Sequence, residues 1–393
     1  MKYNFDEIIE RKSTNSVKYD LAEELGKPAD ALPMWVADMD FQTPSEVIDA
    51  LINISRHGIF GYYQSKEDYF EAVHHWFNTR HGWDVKKEWL IKTPGVIFAL
   101  AMAIKAYTNE NDAVMIQQPV YHPFAETIKV NNRRLVNNPL VNKDGNFRMD
   151  IEDFERKIIE NGVKLFVLCS PHNPVGRVWT EEELIEVGDI CLKHGVIVVS
   201  DEIHADFIYD GHKHTIFAKV KPEYLDNSII CTAPSKTFNL AGLQISNTFI
   251  ANKKLRDKFI LEMKRAGTGT PNTMGIVACQ AAYLYGAQWL DELIKYLTGN
   301  LNFIREFLKE RLPQIKLVEP QGTYLVWLDF RDLNLNGEEL EDLVLNRAKL
   351  WLNSGSIFGP GGEGFQRMNI ACPRSIVEEA LLRLERAVKS LNN

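Results

Sequence analysis

No stretch of this sequence approaches the roughly 20 consecutive apolar residues that a membrane-spanning helix requires, so no membrane span is expected. Basic residues are not in excess either. The 45 Lys and Arg against 53 Asp and Glu leave a net charge of −8, which argues against a nucleic-acid or anionic-membrane partner. Cysteine is scarce: five residues, widely spaced, with no CxxC pair. An odd, scattered set predicts buried free thiols in a reducing compartment, not a disulfide framework. The start, MKYNFDEIIERKS, lacks the apolar region of a secretory signal, and the expected location is the cytoplasm. There is no internal repeat, no low-complexity tract and no long flexible linker. Metal-ligand spacing is poor as well. His204, His212 and His214 form the one suggestive group, and His212 and His214 follow the turn-like Tyr209-Asp210-Gly211. Solvated turn histidines are expected there, and no metal site is predicted.

What is present is a chain of 393 residues, 45% hydrophobic and 25% charged, long enough for about two domains. Its middle alternates short β-branched runs with amphipathic stretches of helix length. The runs are Ala113–Gln117, Lys164–Cys169, Val196–Ser200, Ser228–Thr232 and Asn247–Ala251. They are largely apolar without a polar–apolar alternation, as strands buried on both faces are. Ile97–Thr108, Glu181–His194 and Lys254–Arg265 carry the helical period between them. The predicted fold class is α/β, with a mostly parallel central sheet flanked by helices. The last third differs: a long helix from Ala287 to Arg311, a hairpin over Lys316–Phe330, a helix near Gly337–Ala348, a strand Gly364–Ala371 and a terminal helix. The expected organisation is an irregular segment 1–45 joining a smaller α+β domain at 287–393, with a large domain at 46–286.

Three strand ends carry the chemistry. Lys164–Cys169 is followed by Ser170-Pro171-His172-Asn173-Pro174-Val175-Gly176, Val196–Ser200 by Asp201-Glu202-Ile203-His204, and Ser228–Thr232 by Ala233-Pro234-Ser235-Lys236. Ligands of open α/β sheets sit beyond the carboxyl ends of the strands, so one cleft receives an Asn, an Asp and a Lys. Thr93-Pro94-Gly95-Val96-Ile97 adds a glycine turn into a helix, whose free amides and positive dipole end suit a phosphate. Taken singly, each has a bland explanation: a solvated lysine, a helix-capping aspartate, a proline turn. Together they match pyridoxal 5′-phosphate (PLP). Its aldehyde takes a lysine amine, its pyridine nitrogen a carboxylate, its ring oxygen an amide donor and its phosphate backbone N–H groups.

The motifs SPHNPVGRVWT, VVSDEIHADF and APSKTFNLAGLQ resemble those of fold-type I PLP enzymes of the class I/II aminotransferase superfamily. MWVADMDF, FGYY at 60–63 and QRMNIACPRS resemble its cystathionine β-lyase and cystalysin branch, which are C–S lyases. The resemblance implies a Schiff-base lysine at Lys236, a pyridine-nitrogen partner at Asp201, a ring-oxygen donor at Asn173 and a ring-stacking aromatic at Tyr121. It implies phosphate contacts from the turn at Gly95, Val96 and Ile97 and from Ser235. Tyr62 corresponds to a tyrosine that reaches the neighbouring subunit's phosphate, which implies a homodimer. Arg367 corresponds to the arginine that binds the substrate α-carboxylate, a task suited to a planar guanidinium. Trp35 and Tyr324 are candidates for lining the substrate pocket. Three positions depart from many aminotransferases: Gln244 in place of a phosphate-binding Arg, Ala233 in place of a Ser, and His204 in place of a Tyr near the ring oxygen. A His at 204 is expected either to donate to the cofactor or to be bonded within the fold.

The implied activity is β-elimination from a cystathionine- or cysteine-type thioether, giving pyruvate, ammonia and a thiol. Transamination shares every step up to the carbanion and is the rival. A nicotinamide dehydrogenase is disfavoured, because the glycine cluster Gly359–Gly364 lies late, contains Pro360 and opens no helix. A regulatory role through contact with a transcription factor is a third reading, and direct DNA binding is not expected.

Overall fold

The computed structural model describes residues 3–392. Its seven-stranded sheet comprises β1 (Leu90–Thr93), β2 (Ala113–Ile116), β3 (Arg134–Asn137), β4 (Val163–Cys169), β5 (Ile197–Asp201), β6 (Ser228–Thr232) and β7 (Ser246–Phe249), in the order β1-β7-β6-β5-β4-β2-β3. β2 to β6 pair in parallel. β7 runs antiparallel to both β1 and β6, so the sheet is mostly parallel, and β1 ends at the same edge as β4, β5 and β6.

The continuous apolar runs follow from burial on two faces. In β2, Ala113 and Met115 join one core while Val114 and Ile116 join the other; in β4, Phe166 and Leu168 oppose Leu165 and Val167. Successive side chains of a strand point to opposite faces, so a strand covered on both sides has no polar register. On one face lie α3 (Val96–Tyr107) and α6 (Lys253–Arg265), contributing Leu100, Ile104, Phe259 and Met263. The other face receives α2 (Glu67–His81), α4 (Glu181–Lys193) and α7 (Thr273–Tyr285), with Trp76, Leu184 and Cys279 in its core. Local signals set the helix ends. Thr180 caps α4 by accepting from Glu183 N at 3.2 Å, while the Glu183 carboxylate accepts from Thr180 N at 2.9 Å, a pairing worth about 1 kcal/mol.

Beyond the 25-residue α8 (Ala287–Arg311), a second sheet forms from β8 (Lys316–Val318), β9 (Leu325–Asp329), β10 (Asn353–Ser354) and β11 (Phe365–Asn369), in the order β8-β9-β11-β10 and antiparallel throughout. The two-residue strand Leu32–Pro33 pairs with Leu350–Trp351 beside this sheet. One apolar core runs from the large sheet into this region, taking in Trp327, Leu343 and Leu381.

All five cysteines are buried and unpaired. No helix among the described residues is long and apolar enough to cross a membrane. One expectation is corrected. His214 is buried, not solvated, and its Nε2 lies 2.8 Å from Glu202 Oε2. Glu202 is itself fully buried and also accepts from Ser200 Oγ and Phe217 N. A buried carboxylate needs several partners to offset its desolvation, and that need draws His214 out of the turn.

Candidate active site

The carboxyl ends of β1, β4, β5 and β6 open onto one cavity. Gly95, Val96, Ile97, Tyr121, Asn173, Asp201, His204, Ser235 and Lys236 all line it. Nine of the residues singled out in the sequence are therefore neighbours in space. Ala37, Ile203, Gln244 and Ile245 complete much of the wall.

Lys236 sits in a single helical turn, α5 (Pro234–Thr237), directly after β6. Its side chain is half-buried at the cavity wall, and Nζ donates to the Ala37 carbonyl at 2.7 Å. Burial lowers its pKa to about 8, and Arg367 pushes the same way, while Asp38 and Asp201 oppose them. The amine is therefore still mostly protonated at pH 7, with about a tenth of molecules deprotonated, far more than for an ordinary lysine. Asp201 ends β5 and is 6% exposed. Burial raises its carboxyl to about 7, against the Ile203 N–H that it accepts at 3.1 Å and the charge of Lys236. So few partners for a buried carboxylate mean that a cation at this spot would hold it ionised.

Asn173 is buried, and its Oδ1 accepts from Arg367 Nη1 at 3.0 Å. That contact orients the amide and leaves its NH2 to donate. Burial raises the Tyr121 hydroxyl, keeping it neutral, and edge contact with Phe124 at 5.7 Å fixes its ring. His204 is buried with Nδ1 unpartnered. Burial, then the charges of Lys236 and Arg367, lower it to about 3, so the ring is neutral. At the start of α3 the amides of Val96 and Ile97 precede the first helical bond, Ala99 N to Gly95 O. A Cβ at Gly95 would meet no protein atom within 4 Å, so the protein's own packing leaves that space open to a ligand.

Arg367 does not line this cavity but borders it from β11. It is 5% exposed. Besides Asn173, it donates to the Trp35 carbonyl at 2.8 Å and to Asn353 Oδ1 at 2.6 Å. The second contact follows from register, since Asn353 stands opposite Arg367 across β10 and β11. Burial lowers the guanidinium to about 10, still charged at neutral pH, and its Nε has no partner. Trp35 stacks on Trp351 at 4.4 Å and faces a wider neighbouring cleft of about 1130 Å³. The Tyr324 hydroxyl donates to the Ala37 carbonyl at 2.9 Å, and its ring meets His204 edge-on at 5.8 Å. Tyr62 stands apart from the cavity lining and is fully exposed.

Sequence reasoning missed Ala37, which acts through its carbonyl, and Asn353, which acts through strand register. Ala37 lies inside MWVADMDF, but a backbone carbonyl leaves no mark on residue type, and Asn353 carries no motif signal. The polar groups of PLP all find counterparts in this set: an amine for the aldehyde, a carboxylate short of partners for the ring nitrogen, an amide NH2 for the ring oxygen, and open helix-start amides with Ser235 for the phosphate.

The cystathionine beta-lyase PatB of Bacillus subtilis is 46% identical over 385 residues, covering 98% of this chain and 100% of that protein. The structure of cystalysin from Treponema denticola, which contains pyridoxal 5′-phosphate, matches with TM-score 0.96 and 37% identity over 100% of both chains. A PLP-bound C–S lyase from Staphylococcus hominis matches with TM-score 0.92 and 34% identity, over 99% of this chain and 98% of that one. The family model for aminotransferase class I and II matches residues 30–384. That span takes in both the strand ends around the cavity and the sheet bearing Arg367, and the chain belongs to this family.

Proposed function

We propose that this protein is a PLP-dependent C–S lyase that eliminates the sulfur substituent from the β-carbon of a cysteine-type amino acid, releasing a thiol, pyruvate and ammonia. The observation that carries the reading is the convergence of Lys236, Asp201, Asn173 and the Gly95 turn on one cavity bordered by a buried arginine. The family, and 46% identity to a cystathionine beta-lyase over nearly the whole chain, support the choice of reaction.

The residues divide the work. Lys236 Nζ would hold the cofactor aldehyde, and the same amine is placed to take the substrate Cα proton as general base. Asp201 would accept from the cofactor's ring nitrogen, Asn173 would donate to its ring oxygen, and Tyr121 would pack against the ring. Val96, Ile97 and Ser235 would hold the phosphate. Arg367 grips the substrate α-carboxylate, fixing the Cα–H toward Lys236. Bound in this cavity, PLP supplies an electron sink for the charge that develops at Cα. His204, neutral and with one ring nitrogen unpaired, is a donor toward the same region. Trp35 and Tyr324 wall the substrate side. The five buried free thiols suit a reducing compartment, the cytoplasm.

The test is direct. The loaded protein is incubated with cystathionine, and separately with an amino acid and an acceptor keto acid. Pyruvate and free thiol in equal amounts are expected from the first. Keto-acid exchange without thiol would make the protein an aminotransferase.

The working form is a homodimer in which Tyr62 reaches the partner's phosphate site. Ile59, Phe60 and Tyr62 are exposed together on the stretch between α1 (Ser45–His57) and α2, an apolar protrusion of the kind that marks an interface. Complementation checks this. Lys236→Ala and Tyr62→Ala dimers, each nearly inactive, are mixed after reversible dissociation. Half the dimers are then mixed and hold one intact site of two, so about a quarter of wild-type activity returns. No recovery would exclude sharing of Tyr62 between subunits.

A further inference from the structure

Lys236 rides on a turn too short to hold itself. α5 has four residues, and its backbone bonds run to Phe238 and Leu240 just after it. Ala233 ahead of it offers no side-chain cap. A single helical turn is not stable alone, so its orientation depends on what it is tied to. Thr237, next to Lys236 and 1% exposed, supplies a tie to another part of the chain: its Oγ1 donates to Asp206 Oδ2 at 2.6 Å. The other carboxylate oxygen of Asp206 lies 2.9 Å from His81 Nε2, at the end of α2. The Asp206 and His81 side chains are 9% and 8% exposed. Burial pushes the Asp206 carboxyl up, but the His81 bond and charge and the Thr237 bond outweigh it, so it stays below its ordinary value and ionised. His81 is fixed in turn. Lys219 Nζ donates to its carbonyl at 2.6 Å, and its ring meets that of His214 edge-on at 6.0 Å. Neither Thr237, Asp206 nor His81 lines the cavity.

We propose that Asp206 is a positioning residue for Lys236, acting through Thr237, with His81 fixing the carboxylate. The lever is short. Asp206 follows Asp201 and His204 on the loop leaving β5, and Thr237 ends the turn leaving β6. One carboxylate therefore joins the two segments that bring Asp201, His204 and Lys236 to the same cavity. A hydroxyl bonded to a buried, ionised carboxylate makes a strong and directional tie, which fixes the rotation of the turn where packing alone leaves slack. Lys236 needs that precision, because its amine must reach both the cofactor aldehyde and the substrate Cα. A misplacement of about 1 Å can cost about 10²-fold in rate. The inference rests on the reading of Lys236 given above.

The test has two readouts. Cofactor-free protein is mixed with PLP, sampled into borohydride over time and mapped, which gives the rate of adduct formation at position 236. The loaded enzyme then gives kcat and KM with cystathionine. Thr237→Val keeps the shape of the side chain and removes the hydroxyl. It is expected to slow adduct formation and kcat about tenfold each, with KM within about twofold, because Arg367 and its partners are untouched. Thr237→Ser restores the donor and should come within about threefold of wild type in both rates. Asp206→Asn should slow both rates as well. The double variant Thr237→Val/Asp206→Asn should be no slower than the worse single one, since the two side chains act as a unit. A merely structural role would lower stability and leave both rates of the folded protein as they were. Wild-type rates in natively folded Thr237→Val overturn the proposal, as do additive losses in the double variant. If Thr237→Val does not fold, Thr237→Ala takes its place with the same expectations. A wild type that forms no adduct at 236 would overturn the reading of Lys236 and the proposal with it. A wild type that forms the adduct but releases no pyruvate would overturn the lyase reading, and the adduct rates would still decide the role of Asp206.

Discussion

Replacing Lys236 with alanine is expected to leave a protein that binds PLP without a covalent link and turns over substrate at least about 10⁴-fold more slowly. A positioned general base alone contributes about 10² to 10⁴, and covalent anchoring of the cofactor is lost with it. The effect is large because no second amine among the described residues lines the cavity; the other polar side chains of its wall carry two amides, a carboxyl, hydroxyls, a thiol and a neutral imidazole. Lys236 is also tuned for the task, since burial brings its amine to about 8. Lys236→Arg keeps the positive charge but cannot give up its proton near neutral pH, so it fails as well. Borohydride reduction of the loaded protein, followed by peptide mapping, checks the assignment. Wild type should carry a pyridoxyl adduct at position 236, and Lys236→Ala none. An adduct on another lysine, or turnover within tenfold of wild type, would remove Lys236 from its role.

The readability of the site follows from the architecture. In a parallel sheet each strand delivers its next few residues to one edge, so three motifs far apart in sequence point to one cleft. The same logic failed where chemistry is carried by the backbone or by register. The Ala37 carbonyl bears no residue signature, and its importance depends on Asn369 and Asn239 holding the neighbouring peptides. Asn353 meets Arg367 only because β10 and β11 pair with those two residues opposite. The local sequence of His214 is that of a solvated turn, yet a buried glutamate on the strand edge decides its position. The helices were legible within a residue or so where period and cap agreed, as at Glu181–Lys193 behind Thr180. The antiparallel setting of β7 was not legible, because strand direction leaves no mark on a short buried run.

Asp201→Asn is expected to act in opposite directions on activity and on stability. In the loaded enzyme the amide cannot carry the charge that keeps the ring nitrogen protonated, and turnover should fall by at least about 10²-fold. In the cofactor-free protein the same change should stabilise the fold above neutral pH. The carboxyl moves from an ordinary 3.8 to about 7, chiefly through burial. A carboxyl raised on folding favours its protonated form in the native state. Its contribution is thus intact below about pH 4 and is lost as pH rises through 7. A rise of about three pH units corresponds to about 4 kcal/mol at most, a cost the wild-type protein bears from pH 7 upward and an asparagine does not. The Ile203 N–H can still donate to the amide oxygen, so the local geometry is kept. Urea denaturation of both cofactor-free proteins between pH 5 and 9 measures the difference, which should widen up to about pH 7 and then level off. PLP should reverse it, because a protonated ring nitrogen favours the carboxylate. A difference independent of pH would mean that Asp201 is already satisfied without the cofactor and that its role lies elsewhere.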